Sequence, residues 1–539
     1  MVVGRCGLLT RGARMSFFER LKSVFFKTSK DVKKTIKTPR NYLNEDYSST
    51  GYALHGGDEY SIPLESWFAF PASARDDLDK NQYVLRKRSR DLYMSSSFFG
   101  SILHAKRDGV IGRGLSLDAK IDAEVLGLTD EDASFFEHKI EAAFNRFVKN
   151  VGVGGESFNE ILQLAYFSTI LSGDVIAVFY TNSETKSLKI DLIESDCLRT
   201  PPSKTGVENI KCGIELNQKG RAAAYWTATG FDYNSDGIPV NYIRIPVFMA
   251  GFNTIGGQWV PPVKKGALLI HTPFERPGQM RGLPICSRVI TDIKQLDRYI
   301  KAELDASVAA SKPALFRRHP AVESEAAVDM MDSFGEDVTA PKRENLPEKP
   351  INYGNGLMID LYDGADMQAF NPLRPNTAYN NFVDHKFAEI SANLGISSEV
   401  ALKRWNASYS ASRAALLDAQ QGFEIERSRF VNQFVRIIYN TWLDLHADEL
   451  GLFGYYTNPE FRSAWRASNW IGEQLPNIDP VKEIEAAAKR VSLGVSTLAR
   501  EAQVATGSDI YSNIRQRGYE EKLLKEYGLV KDQNGVPID

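Results

Sequence analysis

The 539-residue sequence has little of what disulfide-rich, zinc-binding or membrane proteins need. Its four cysteines, Cys6, Cys197, Cys212 and Cys286, stand singly with no Cys-x-x-Cys pair. Neither a disulfide framework nor a zinc ribbon is predicted, and a reducing compartment is the default. No apolar run approaches the length of about 18 residues that a membrane-spanning helix needs. We therefore expect no membrane span and no metal.

Catalytic motifs are equally scarce. No Gly-Lys pair is followed by Ser or Thr, as a phosphate-binding P-loop would require. The seven histidines show no His-x-x-x-His or His-Glu-x-x-His spacing, and no Gly-x-Ser-x-Gly elbow accompanies a plausible triad. The sequence therefore predicts a protein that is not an enzyme and that carries no cofactor.

Charge is distributed unevenly along the chain. Residues 1–40 hold 11 Lys and Arg against Glu19 and Asp31, a net charge of +9, and the remainder of the chain has a net charge of −12. A protein that holds DNA by neutralising phosphates should be basic over its body, because affinity rises with the number of counterions released. We therefore expect a basic arm followed by a body that does not grip nucleic acid.

The first half of the chain predicts an α+β region. Helical periodicity covers residues 78–113, and a capping-box variant of Thr129 and Asp132 begins a helix that runs to about Val148. A further helix is predicted at 157–171. A strand at 175–180 then opens a strand-rich stretch that continues to about residue 271.

The second half predicts long helices. Apolar residues at steps of three and four from Ile285 to Val308 indicate one helix over 284–312, about 28 residues and roughly 42 Å long. A second helix is expected from about residue 376 to Gly395, and a third from Ala411 to about Ala447. Residues 313–372 form a mixed insert, residues 396–410 a loop, and the region from Asp479 a helical cluster.

Several short motifs, taken in order, are similar to one known family. They are Arg-Asp-Leu-Tyr at 90–93 with Gly-Val-Ile-Gly at 109–112; Gly-Ile-Glu-Leu at 213–216 with Tyr-Trp at 225–226; Phe-Glu-Arg-Pro-Gly-Gln-Met-Arg-Gly at 274–282; Asn-Leu-Gly-Ile-Ser at 393–397; Tyr-Ser-Ala-Ser-Arg-Ala at 409–414; and Arg-Ser-Ala-Trp at 462–465 with Trp-Ile-Gly at 470–472 and Ile-Asp-Pro-Val-Lys-Glu at 478–483. Over about residues 45–530 the chain resembles the lambda-like portal proteins of tailed bacteriophages. It departs from them at Met280, where a small polar residue is usual, and in its basic arm.

The resemblance implies a ring, normally of twelve subunits, at one capsid vertex of the virion and without a catalytic site. Such a ring nucleates procapsid assembly with the major capsid protein and scaffold, in the host cytoplasm. It docks the large subunit of the terminase motor, passes double-stranded DNA during packaging and ejection, and carries head-completion and tail adaptor proteins. Twelve helices about 10 Å apart would leave a bore near 28 Å, wider than a duplex of about 20 Å.

Mapped onto this chain, the resemblance also implies a division into named regions. These are a basic N-terminal arm at 1–44, an α+β wing at 45–280, stem helix 1 at 281–312, a clip at 313–372, stem helix 2 at 373–395, a tunnel loop at 396–410, a long wing helix with its following segment at 411–470, and a helical crown at 471–539.

Three sets of candidate site residues follow. In the tunnel loop, Lys403 and Arg404 offer charge to phosphates, while Trp405, Asn406 and Tyr409 offer planar or hydrogen-bonding contacts. Trp405 and Tyr409 could equally pack against neighbouring subunits. The polar channel wall of the stem is expected at Lys294, Asp297, Arg298, Lys301 and Asp305, for which ordinary solvent exposure is the alternative. Terminase docking by the clip is expected at Arg317, Arg318, Lys342, Arg343 and Lys349.

Two other functions stay open on sequence alone. A phage DNA-processing enzyme such as a nuclease would need a cluster of Asp and Glu able to hold Mg²⁺, which the sequence does not show. A portal protein of a domesticated prophage or gene-transfer particle would have the same motifs as the portal of a live virus.

Overall fold

The structure is a computed structural model that describes residues 72–229, 241–253, 258–311, 314–318, 351–353, 356–361, 378–405, 408–472, 480–506 and 510–527. All of them belong to the compact unit Ala72–Asp539. Helices and strands are mixed through this part of the chain, as the predicted α+β class requires. The basic arm lies outside the described residues.

The helices are numbered α1 to α14 along the described chain. They are α1 (Ala74–Ser95), α2 (Ser97–Val110), α3 (Ala123–Leu126), α4 (Asp130–Phe147), α5 (Phe158–Ser172), α6 (Ile290–Ser311), α7 (Tyr379–Asn393), α8 (Ser398–Leu402), α9 (Tyr409–Phe430), α10 (Arg436–Leu450), α11 (Pro459–Trp465), α12 (Pro480–Ser492), α13 (Leu498–Thr506) and α14 (Ile510–Glu526).

The strands are numbered β1 to β14 in the same way. They are β1 (Leu115–Ala119), β2 (Asp174–Asn182), β3 (Ser187–Glu194), β4 (Ile210–Lys211), β5 (Ile214–Leu216), β6 (Ala222–Ala228), β7 (Tyr242–Pro246), β8 (Phe252–Asn253), β9 (Trp259–Val260), β10 (Lys265–His271), β11 (Ala314–Arg318), β12 (Ile351–Tyr353), β13 (Gly356–Leu361) and β14 (Ser468–Gly472).

The predicted helix at 78–113 is two helices. Ser96 has an extended backbone, and its side chain accepts the amide hydrogen of Phe99 as the N-cap of α2. It stands in a run of three serines at 95–97, whose hydroxyls compete for backbone hydrogen bonds and favour caps over helix interiors. The single-helix prediction is therefore wrong at this position. The predicted cap Thr129 of α4 is confirmed, since its side chain accepts from the amide of Asp132.

Strand β2 is the centre of the first-half core. It lies between β10 and β3, antiparallel to both. Side chains alternate across a strand, so Val175, Ala177 and Phe179 join the large helical core, whereas Ile176 and Val178 join a second cluster that packs on the β4–β7 sheet. Both faces of β2 are therefore buried, which explains its unbroken apolar sequence.

The predicted 28-residue helix begins later than expected. Helix α6 has 22 residues, about 33 Å, and residues 285–288 form a separate 3₁₀ turn. Ser287 Oγ donates to the carbonyl of Pro284 at 2.6 Å, and Val289 leaves helical geometry with φ −120°. The apolar residues keep their spacing of three and four through residues 285–288, although the backbone there is a 3₁₀ turn and not α-helix.

The insert after α6 contains three described strands. β11 pairs in parallel with β13, and β12 pairs antiparallel with β13. The chain then returns in α7, which confirms the second predicted helix, and Gly395 follows its end with φ +69° as a left-handed helix terminator.

Residues 396–410 are not wholly a loop. They include the short helix α8, capped by Ser397, and α9 begins at Tyr409 with Ser408 as its cap. The predicted helix from Ala411 to about Ala447 is present as α9 and α10, with a π turn at Val431–Val435 between them. The described C-terminal residues form α12, α13 and α14, where a helical cluster was predicted.

Three of the four cysteines lie in the described part of the chain. Cys197, Cys212 and Cys286 carry free thiols. In the described part of the chain, no helix has both the length and the apolar character needed to cross a membrane.

Candidate channel and docking residues

Helices α6 and α7 form an antiparallel pair. Tyr299 of α6 stacks on Tyr379, with ring centroids 6.0 Å apart, and meets the edge of Phe382 at 5.0 Å. Asp292, two turns earlier on α6, acts electrostatically on Lys386, two turns later on α7. Helix α6 therefore continues for 12 residues beyond Tyr299, about 18 Å, past the first turn of α7.

The predicted channel-wall residues of α6 divide into two groups. Lys294, Arg298, Lys301 and Asp305 are exposed, and Lys294 pairs only loosely with Asp91 at 3.4 Å. Asp297 instead is half-buried and accepts a hydrogen bond from the Ser96 hydroxyl at 3.1 Å. Burial raises the pKa of Asp297. It thus faces helix α2 within its own subunit, and assignment of the other four to a channel wall stays a prediction.

The apolar stripe of α6 is buried at one end and exposed at the other. Ile293 and Leu296 are 2% and 5% exposed, whereas Leu304 and Val308 are 62% and 48% exposed. The stripe therefore extends beyond what the described part of its own subunit covers.

The predicted tunnel-loop residues lie around the α8–α9 connection. Lys403 ends α8 with a left-handed backbone, φ +54°, and Arg404 is 3.9 Å from Asp384 with both side chains exposed. Trp405 and Tyr409 are 46% and 51% exposed. Asn406 lies outside the described residues. The segment presents cationic and aromatic side chains to solvent, and DNA contact by them stays a prediction.

A buried lysine that the sequence did not predict joins the helices on either side of this segment. Lys106 is 2% exposed, and its ammonium donates to the carbonyl of Leu394 at 3.0 Å and to Glu426 Oε1 at 2.6 Å. The Tyr166 hydroxyl donates to the other oxygen of Glu426. Lys106 thus joins α2, the end of α7 and the long helix α9. A cue existed, because Lys106 is four residues after Ile102 and so lies on the apolar face of α2.

A second buried ion pair precedes α6. Arg281, 1% exposed, donates to both oxygens of the fully buried Asp174 at 2.6 and 2.8 Å, and to the carbonyls of Leu198 and Ser195 at 3.0 and 3.1 Å. Burial alone would raise the pKa of Asp174, but the Arg281 charge and hydrogen bonds hold it below its usual value. Arg281 thereby fixes the 274–282 motif to strand β2.

The glycine that ends this motif is sterically required. A Cβ on Gly282 would overlap the carbonyl oxygen of Gly173, which is backbone and cannot rotate away. Gly109, in another of the motifs, packs against the side-chain ring of Phe423 and lets α2 approach α9. Both glycines therefore serve close packing, Gly282 against backbone and Gly109 against a side chain.

Of the predicted docking residues of the insert, Arg317 and Arg318 lie in strand β11, paired with Asp360 and Leu361 of β13. Lys342, Arg343 and Lys349 lie outside the described residues. Within the described ranges, no group of three or more His, Cys, Asp or Glu is arranged to hold a metal ion.

Comparison with known proteins decides the family. The family model described as phage portal protein, lambda family, matches residues 62–427. The chain belongs to the lambda family of phage portal proteins. Similar members are the portal protein of Escherichia phage N15, 21% identical over 490 residues, and portal protein B of Escherichia phage lambda, 22% identical over 488 residues. In both cases the match covers 85% of this chain and 87% of the relative.

Solved structures that match this chain come from gene transfer agent particles. The neck of the native particle matches at a TM-score of 0.36 and 12% identity, covering 78% of this chain and 92% of that one. The neck of the empty particle matches at the same score and identity, covering 81% and 96%.

Membership of the lambda portal family confirms the resemblance based on the ordered motifs. It makes the protein a structural component of the virion, a portal with a role in DNA packaging, in place of the nuclease that was the other class considered. The family match ends at residue 427, near the end of α9, so α10, α11, β14 and the C-terminal helices lie beyond it.

Proposed function

We propose that twelve copies of this chain form a closed ring in which α6 and α7 surround a channel for double-stranded DNA. The observation that carries the proposal is the antiparallel α6–α7 pair with the exposed Leu304 and Val308 on its apolar stripe. Fully burying one leucine side chain is worth about 1.5–3 kcal/mol. A neighbouring copy, repeated by rotation, supplies that burial for every subunit of a closed ring.

The net charge of the chain suits a channel that DNA passes through better than a surface that holds DNA. Outside its first 40 residues the chain has a net charge of −12. The four exposed wall candidates of α6 are three cations and one carboxylate, so the charge argument rests on the body of the chain and not on this wall. DNA that must slide in both directions is better served by a surface that does not neutralise many phosphates. In this proposal the tunnel segment, with Lys403, Arg404, Trp405 and Tyr409, makes the brief contacts.

The same proposal assigns the partners. The insert at 313–372 docks the terminase large subunit and later the head-completion and tail adaptor proteins. The ring nucleates a procapsid with the major capsid protein and scaffold in the host cytoplasm. Polar and charged side chains suit such an exchangeable surface, because they tune specificity and association rate more than raw affinity.

The proposal is tested with a charge on the exposed stripe. Leu304→Glu should leave the subunit folded, because the side chain is exposed, yet prevent ring closure by placing a carboxylate in the lateral contact. Phe135→Glu, at a residue of α4 with 64% exposure, is the matched control and should still give rings. Native mass spectrometry reads the outcome. Rings of unchanged abundance in the Leu304→Glu protein would overturn the proposal.

A further inference from the structure

A basic groove is lined by residues of the second half of the chain together with Lys120. An open hollow of about 650 Å³ is lined by the start of α10, helix α11 and the start of β14. A second hollow of about 370 Å³ shares two lining residues with it, Arg436 and Asn469, and continues it along the π turn. We call the two together the basic groove. Its cationic lining residues are Lys120, Arg427, Arg436, Arg462, Arg466 and Arg500.

Positive charge exceeds negative charge in this groove. Glu424 is the one carboxylate among the lining residues. Beneath the lining, Asp444 is paired with Arg466, and Asp118 lies 3.4 Å from Lys120. Glu137 and Glu141 also act electrostatically on Lys120. The guanidinium of Arg427 donates hydrogen bonds to the carbonyls of Val110 and Gly109 at 2.8 and 2.9 Å.

Arg436 is the cation most available to a ligand. Its side chain is exposed, it lines both hollows, and no hydrogen bond or ion pair engages its guanidinium among the described residues. It is the first residue after the π turn at Val431–Val435. Such turns change which residues face outward and are frequent at functional sites.

Two buried donors in the groove also lack partners. Ser468 is 7% exposed and lines the larger hollow, and its hydroxyl makes no hydrogen bond within the described chain. The indole nitrogen of Trp470, in the smaller hollow, is likewise buried without an acceptor. A buried donor left unpaired is costly, so native structures normally satisfy it. Neither atom has appreciable accessible surface, so an acceptor in the groove reaches one only after a side-chain movement, which for Ser468 is a single rotation about χ1.

We propose that the basic groove binds an acidic segment of a partner protein, whose carboxylates meet the Arg436 guanidinium and the Ser468 hydroxyl. Carboxylates suit this site because charge-assisted hydrogen bonds to arginine are strong and can be bidentate. The inference is independent of the channel proposal.

A peptide fits the charge pattern better than DNA does. A duplex is much longer than the groove and would extend over a body whose net charge is −12. Repulsion between phosphates and exposed carboxylates acts over about 10 Å at moderate salt. A short acidic segment instead places its carboxylates inside the groove and adds no charge beyond it.

The test uses the full-length protein in its purified assembly state and a fluorescent octaglutamate peptide. Fluorescence anisotropy should show binding that weakens as salt is raised. Arg436→Glu should weaken it by at least about tenfold. Arg221→Glu, an exposed arginine of the β5–β6 turn that does not line the groove, should leave it unchanged.

A second variant separates binding from folding. Ser468→Ala removes an unpaired buried hydroxyl, so the melting temperature should hold or rise while peptide affinity falls severalfold. The proposal is overturned if Arg436→Glu and Arg221→Glu weaken binding equally. It is also overturned if a duplex of equal charge binds the groove more tightly than the peptide. Failure of the wild-type assembly to bind octaglutamate, as when a neighbouring copy already covers the groove, overturns it too.

Discussion

The ammonium of Lys106 donates to the carbonyl oxygen of Leu394 at 3.0 Å, although the two residues are 288 positions apart. Leu394 is the C-cap of α7, where helical carbonyls lose their partners. The same ammonium pairs with Glu426 of α9. One side chain therefore fixes the place where the chain leaves α7 and enters the segment that leads to α9.

Removing this ammonium should be costly. Lys106→Met leaves a partly buried carboxylate and an unpaired carbonyl, and breaking a buried pair typically costs 3–5 kcal/mol, so the free energy of unfolding should fall by about that amount. Urea denaturation measures it. Lys294→Met, which breaks the exposed pair with Asp91, is the control and should cost less than about 1 kcal/mol. Equal losses in the two variants would contradict the anchoring role.

Gly282 should not tolerate even one added methyl group. Gly282→Ala forces backbone atoms apart at Gly173 and should lower the free energy of unfolding by about 1–3 kcal/mol. Gly518→Ala makes the same chemical change in helix α14, where a Cβ meets nothing within 4 Å. That control should be neutral or stabilise by up to about 1 kcal/mol. A harmless Gly282→Ala would show that the close approach is absent in solution.

The Asp174–Arg281 pair should give an acid-dependent stability. The pKa of Asp174 is lower in the folded than in the unfolded protein, so its carboxylate contributes full stability above the unfolded value near 3.8. That contribution is lost as pH falls through the folded pKa. The free-energy difference between wild type and Asp174→Asn should therefore shrink on acidification. A difference that stays constant from neutral pH to the acid limit of folding would refute this linkage.

The tunnel segment should matter for DNA but not for assembly. Deleting residues 402–408 should leave rings and procapsids intact and impair packaging or retention of the genome. The parts that Lys106 anchors, α7 and α9, remain in place in this variant. Electron microscopy of particles and a nuclease-protection assay for packaged DNA measure the two effects. Deleted particles that fill and keep DNA normally would show that the segment is not the contact.

The insert at 313–372 should be needed for terminase docking but not for ring assembly. Replacing Arg317, Arg318, Lys342, Arg343 and Lys349 by Ala should weaken terminase docking while the ring still forms, because lost surface charges slow association more than they unfold a domain. A pull-down with the terminase large subunit, beside a count of rings, measures both. Normal docking and packaging by the substituted protein would place the docking surface elsewhere.

Local signals in the sequence predicted much of the fold. Thr129 marked the start of α4 and Gly395 the end of α7, because caps depend on neighbouring residues alone. The apolar run at 175–180 predicted β2, again from neighbouring residues alone. The break at Ser96 was missed because the apolar periodicity continues across it. The π turn at Val431–Val435 was missed because it is a shift of one residue within a helix.

The candidate site was less predictable because its contacts are distant in sequence. Nothing near Lys106 indicates Glu426, which is 320 residues away, and nothing near Arg281 indicates Asp174. Asp297 followed the exposed pattern of α6 yet lies against Ser96, 201 residues earlier. Periodicity gives the face of a helix but not the element that covers it.

The mass of the purified full-length protein tests the central claim most directly. Twelve copies of the 60.3 kDa chain give a species of about 0.7 MDa, and negative-stain images of it should show closed rings with a central bore. Native mass spectrometry at micromolar concentration and moderate salt is the measurement. A monomer or compact dimer as the dominant species under these conditions would contradict the ring and, with it, the channel.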